Sequence, residues 1–156
     1  MMLDSGTTIT LVKHKEMLHN LRDSHPESVQ ITSCSNMDIP YDQEGDLILK
    51  TLNGRQIKIH AFYTPTIDHT ISSTSDLHSH HLFLNERLNT IEDANGDVTA
   101  NINTYNGIHW LSNHYIVFPS TANRKSVNAL KTKFPLDLIH RIWVTLMFNQ
   151  SIHPSK

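Results

Sequence analysis

Three features of the sequence predict a mainly β fold. Apolar residues alternate with polar ones over short runs, as at Thr7 to Val12. Asn-Gly pairs, the strongest short-range hairpin signal, fall at Asn53-Gly54, Asn95-Gly96 and Asn106-Gly107. Further turn signals, Pro40 and Glu44-Gly45-Asp46, interrupt the runs.

In chain order, Thr7 to Val12 sets Ile9 and Leu11 among threonines, the pattern of a half-buried strand. Val29 to Thr32 is a short second candidate. Asp46 to Leu52 and Arg55 to Phe62 are alternating runs on either side of Asn53-Gly54, and read as one hairpin. Thr64 to Asp76 is polar and rich in Ser and Thr. His81 to Leu88 reads as a short helix. Ile108 to Phe118 is apolar and carries Trp110, Tyr115 and Val117, expected to pack rather than to stack on bases. From Ser120 the character changes: Arg124, Lys125, Lys131 and Lys133 occur with no acidic residue between Thr121 and Lys133, as in an exposed spacer. After Pro135, Leu136 to His153 has no clear amphipathic stripe. The expected organisation is a first domain over 1–90, a β-rich segment over 91–119, and a basic linker with a tail over 120–156.

Hydrophobic residues make up 38% of the 156 residues and charged residues 18%, a thin apolar supply for a single core through the whole chain. The formal net charge of −2 argues against nucleic acid as a partner of the chain as a whole. The single cysteine, Cys34, excludes an internal disulfide and a multi-cysteine zinc site, and suits a reducing compartment. No apolar run approaches the length of a membrane span, and the first residues lack the marks of a signal peptide. A soluble, intracellular protein with no membrane partner is expected.

One motif carries chemistry. Asp4-Ser5-Gly6 follows an apolar residue, Leu3, and precedes a strand pattern. Asp-Ser-Gly often marks only a turn. In a retropepsin active-site loop the same residues have a purpose. Two Asp carboxylates held close together share one proton. One then serves as base toward water and the other as acid toward the scissile carbonyl. Gly6 permits a tight turn beside the carboxylate, and the Ser5 hydroxyl can brace the two loops.

The order of motifs extends this. Leu3-Asp4-Ser5-Gly6-Thr7-Thr8-Ile9-Thr10-Leu11-Val12 resembles the protease start in Pol polyproteins of yeast Ty/copia-type LTR retrotransposons. Met17-Leu18-His19, Asp38-Ile39-Pro40, Gly45-Asp46-Leu47, Asn53-Gly54 with Ile57-Lys58, and Thr64-Pro65 continue the resemblance. Beyond the protease it persists in Asp93 to Asp97, Trp110-Leu111-Ser112, Lys125-Ser126-Val127-Asn128, Phe134-Pro135 and Leu138-Ile139-His140-Arg141. The resemblance implies a retropepsin-like half-barrel, homodimeric if active, with Asp4 as the catalytic aspartate, Ser5, Gly6 and Thr7 as its loop, and a flap around Ser33 to Ile39. It implies no cofactor and no metal at that site. The chain holds no second Asp-Ser-Gly or Asp-Thr-Gly, so a dyad requires Asp4 from two chains. The implied role is processing of a Gag-Pol precursor, with the polyprotein peptide as substrate, in the cytoplasm inside a virus-like particle or in the nucleus.

Three departures from the family pattern bear on activity. Only Met1-Met2-Leu3 precede Asp4, where the family has a long strand. Ser72 and Thr74 stand where the family places leucines, which costs roughly 1.5–3 kcal/mol of burial per site and demands hydrogen-bond partners. After Arg141 the match stops. Reading from the third base of the Ile142 codon permits Leu-Gly-His-Ala-Asn-Val-Gln-Ser-Ile, as the family continues. A single-base frameshift near Ile142 and an early stop after Lys156 are therefore expected, with His140 a zinc ligand parted from its partners. The alternative to a protease is accordingly an inactive, truncated transposon remnant. A nucleic-acid-binding module, resting on Arg124 to Lys133, is opposed by the net charge and the missing zinc ligands. The histidines of Leu77-His78-Ser79-His80-His81 suit an exposed polar loop better than a metal site.

The basic stretch yields a test. Limited trypsin digestion is expected to cut first at Arg124, Lys125, Lys131 or Lys133. Early cleavage at Lys50 or Arg55 would count against the boundary drawn at residue 120.

Overall fold

A computed structural model describes residues 1–24, 30–32 and 38–120, all within one unit, Met1–Ala122. Val29, the expected flap tip over 33–37 with Cys34, and everything from 121 onward lie outside the described residues. The latter includes the basic linker, His140 and the tail. The described residues are mainly β. The strands are β1 (Met2–Asp4), β2 (Thr10–Val12), β3 (Leu18–Asp23), β4 (Gln43–Lys50), β5 (Gln56–Tyr63), β6 (Ile71–Ser73), β7 (Leu82–Asn85), β8 (Thr90–Asp93), β9 (Val98–Tyr105) and β10 (Ile108–Leu111). One α-helix, α1, covers Thr74–Ser79.

The Asn-Gly signals hold. β4 and β5 pair antiparallel from Gln43↔Tyr63 to Lys50↔Gln56, and Gly54 takes a φ of 86° in the connection. Leu47, Leu49, Ile57, Ile59 and Ala61 face the interior, whereas Lys50, Lys58 and His60 face out. β9 and β10 meet at Tyr105↔Ile108, so their turn is Asn106-Gly107 alone. Its φ angles of 50° and 76° are those of a type I′ turn, whose twist matches the flanking strands.

The sheet order is β3-β4-β5-β2-β6-β1-β10-β9-β8-β7. Its centre is interleaved. β1 and β2 are consecutive in the chain, yet β6 lies between them, parallel to β1 and antiparallel to β2. β5 and β6 are consecutive strands too, yet β2 lies between them. Each connection therefore passes round the end of the strand it encloses. The second is tied down where it crosses: Thr64 N–H donates to Val12 O (2.8 Å), Lys13 N–H to Thr70 Oγ1 (3.1 Å) and Met2 N–H to Thr70 O (2.9 Å).

A ten-stranded sheet cannot stay flat. This one curls until its distant parts touch. Leu52 N–H donates to Thr99 O and Val117 N–H to Ile48 O, each at 2.8 Å. Leu47 and Leu49 of β4 thereby join Ile91, Ala100 and Ile102 of β8 and β9 in one core with Leu3, Val12, Leu77, Leu111 and Tyr115. The buried Tyr115 accepts the Asn101 N–H on its hydroxyl at 2.9 Å, and Trp110 is buried as well, so both pack as expected.

Two local expectations change. His81 to Leu88 is not helical: Leu82–Asn85 is strand β7, paired with β8, and the helix lies earlier, at Thr74–Ser79. His81 ends it in the left-handed region (φ 58°), after which buried Leu82 and exposed Phe83 take the period of a strand. At Thr7 to Val12 only Thr10–Val12 is strand, because the residues before it form the crossing over β6.

The amino group of Met1 is largely but not wholly buried and donates to Leu111 O at 3.0 Å. Burial pushes its pKa down from 8.0 to about 6. Desolvation also lowers the pKa of His69, whose ring lies edge-on to Trp110. In both cases the unfolded chain binds the proton more readily, so stability rises with pH. For a polypeptide with a free amino group at Met1, stability is expected to climb between pH 6 and 8 by at most about 2–3 kcal/mol. Urea unfolding across that range, with and without N-terminal acetylation, checks this. Acetylation removes the amino group's share.

Candidate active site

Asp4 is the last residue of β1, a strand with neighbours on both sides. Leu3 is opposite Ser72 of β6 on one side and His109 of β10 on the other, and Asp4 lies beside Ser73. Apolar burial fixes the strand, since Leu3 is buried in the core just before the carboxylate. Asp4 itself is partly exposed and Ser5 exposed. Among the described residues no cation pairs with Asp4. Its Oδ1 accepts the Gly6 N–H at 2.7 Å. A Cβ at Gly6 would stand 3.2 Å from that oxygen, so the loop hugs the carboxylate because residue 6 has no side chain. The Thr7 hydroxyl donates back to Asp4 O at 3.3 Å. Asp4, Gly6 and Thr7 are thus tied into one tight loop, with Ser5 at its exposed turn.

Three residues that the sequence reading passed over fasten this loop. Ser73 Oγ donates to Thr7 O at 2.7 Å and accepts the N–H groups of Ser75 (3.1 Å) and Asp76 (3.4 Å) as the N-cap of α1. Thr10, fully buried, accepts the Ser73 N–H on Oγ1 at 3.2 Å and donates to Asp76 Oδ2 at 2.6 Å. A capping box normally closes when the side chain of the third helical residue reaches back to the N-cap N–H. Here the hydroxyl of Thr10 stands between the two, and so a residue of β2 completes the cap of α1. The spacing Ser73-x-x-Asp76 was the sequence signal for this cap.

The side chains of Ser72 and Thr74 are buried. Ser72 is inaccessible and Thr74 nearly so. Ser72 Oγ finds no hydrogen-bond partner among the described residues. The cluster of His78, His80 and His81 assembles no site: no group of three His, Cys, Asp or Glu side chains among the described residues is arranged to hold a metal ion.

These neighbours should respond oppositely to the same change. Ser73→Ala is expected to cost about 0.5–2 kcal/mol through the lost cap. Ser72→Ala removes an unsatisfied buried hydroxyl and is expected to be neutral or to stabilise by about 1 kcal/mol. Chemical denaturation of the two variants checks both.

No family model matches the chain, and no solved structure does. Two curated relatives from Saccharomyces cerevisiae, the Transposon Ty1-DR6 Gag-Pol polyprotein and the Transposon Ty1-LR3 Gag-Pol polyprotein, are each 26% identical to it over 147 residues. That similarity covers 91% of this chain, which spans 8% of the length of either relative. By this measure the chain resembles one segment of a Ty retrotransposon Gag-Pol polyprotein.

Proposed function

We propose that the chain is the aspartic-protease region of such a polyprotein, acting as a homodimer in which Asp4 of one copy faces Asp4 of the other. One observation carries the reading: the single Asp-Ser-Gly of the chain ends an internal strand, on a loop fastened from two sides, with Asp4 partly exposed. The similarity to Gag-Pol polyproteins supports it.

The mechanism follows from charge. Two carboxylates at close range cannot both ionise readily, so the pair holds one proton. The ionised Asp4 takes a proton from water, whose oxygen attacks the peptide carbonyl carbon. The protonated Asp4 gives its proton to the carbonyl oxygen, forming a gem-diol. The Asp4 that took the water proton then passes it to the amide nitrogen as the C–N bond breaks, and the other Asp4 takes back a hydroxyl proton as the acid product forms. One chain supplies one carboxylate, so a single copy cannot divide these roles. The substrate in this reading is a peptide segment of the polyprotein, and the place of action a cytoplasmic virus-like particle.

Cleavage of a fluorogenic peptide spanning a polyprotein junction tests this. The rate is expected to rise with the square of protein concentration while monomer predominates. Asp4→Asn is expected to lower it by at least about a thousandfold. A rate linear in dilute protein, or activity that survives Asp4→Asn, would contradict the proposal.

A further inference from the structure

We propose that Asp76 is a positioning residue for Asp4, acting through Thr10 and Ser73 on the loop that carries the carboxylate. The inference rests on the reading of Asp4 as the proteolytic carboxylate, but the connection itself is drawn from hydrogen bonds. Asp76 Oδ2 receives the Thr10 hydroxyl at 2.6 Å, within the range of a charge-assisted bond. That bond orients the Thr10 oxygen so that a lone pair meets the Ser73 N–H at 3.2 Å. Ser73 is thereby held in register beside Asp4, and its hydroxyl reaches Thr7 O at 2.7 Å. Thr7 in turn donates to Asp4 O. Each step is a directional bond between groups that are wholly or partly buried, where hydrogen bonds orient more firmly than in water.

Asp76 suits the task for a second reason. It lies in the first turn of α1, where a negative charge is favoured by the unpaired amides. With the Ser73 hydroxyl already serving as the cap, the Asp76 carboxylate is available to Thr10. Without it, the hydroxyl of Thr10, inaccessible to water, would have to turn elsewhere or go unpaired. Its grip on the Ser73 amide would loosen with it. Removal of the Asp76 carboxylate should therefore be felt at Asp4, although the two side chains do not touch.

The test uses the full chain, labelled with nitrogen-15, and two readouts. The first is the Gly6 amide resonance, which moves with pH as Asp4 ionises because this amide donates to Asp4 Oδ1. Asp76→Ala is expected to lose about half or more of that pH-dependent movement, since hydrogen bonding falls steeply with misalignment. Asp76→Asn keeps an acceptor oxygen for Thr10 and should retain most of it. The second readout is peptide cleavage: Asp76→Ala is expected to lower kcat by about tenfold or more with KM little changed, and Asp76→Asn to recover most of the loss. If Asp76→Ala does not fold, Thr10→Val and Thr10→Ser replace the pair, the serine variant retaining the hydroxyl and the signal.

An unchanged Gly6 titration in Asp76→Ala, or an Asp76→Asn variant as impaired as the alanine variant, would overturn the positioning role. The two readings fail separately. Cleavage by the parent chain that persists undiminished in Asp76→Ala overturns the role of Asp76 and leaves the protease reading standing. A parent chain with no cleavage at dimer-forming concentration, whose Gly6 signal still depends on Asp76, overturns the protease reading and leaves the loop connection standing.

Discussion

The hydroxyl of Thr10 joins β2 to the junction of β6 and α1, which lies far away in sequence. It accepts from the backbone of β6, donates to the first turn of α1, and belongs to β2. Interleaved strands make such a joint necessary. β6 is enclosed by β1 and β2, and β2 by β5 and β6, so none of the four can be seated alone. The strands involved are short, three residues each for β1, β2 and β6, and offer few ladder bonds of their own. Buried side-chain bonds at Thr10 and Ser73 compensate for that shortness. The cost is polarity in the interior, visible in Thr10, Ser72 and Ser73, of which Ser72 finds no partner among the described residues.

The outer elements were legible because their information is local. Asn53-Gly54 and Asn106-Gly107 supply positive φ at a turn, and the runs beside them alternate with a period of two, so a short window of sequence contains the hairpin. The centre was not legible for the opposite reason. The pairing of Leu3 with His109, and the curl that brings Leu52 to Thr99, depend on contacts across much of the chain. The helix expected at His81 to Leu88 forms instead at Thr74–Ser79, where the sequence reads only as polar and rich in Ser and Thr. Yet that polar run, as a cap, is what starts the helix.

The candidate site was more legible than the fold around it. Asp-Ser-Gly is a contiguous motif, and the loop it forms is built from its own atoms: Gly6 bonds Asp4, and Thr7 bonds Asp4. What the motif does not contain is the support beneath it. Ser72 and Thr74 were weighed as lost apolar area, and Ser72 justifies that concern. Ser73, between them, does the reverse: its hydroxyl caps α1 and holds the Asp4 loop. β10 lies along β1, opposite β6, and the strand bearing Asp4 is internal.

In the proposed enzyme, two copies of Asp4 make one site. Mixing the parent chain with its Asp4→Asn variant, at constant total concentration and after exchange of subunits, tests it most directly. If each site draws one carboxylate from each chain, activity falls as the square of the parent fraction, and an equal mixture retains about one quarter. A linear fall, with about one half retained at equal mixing, would mean that each chain carries a complete site and would contradict the account.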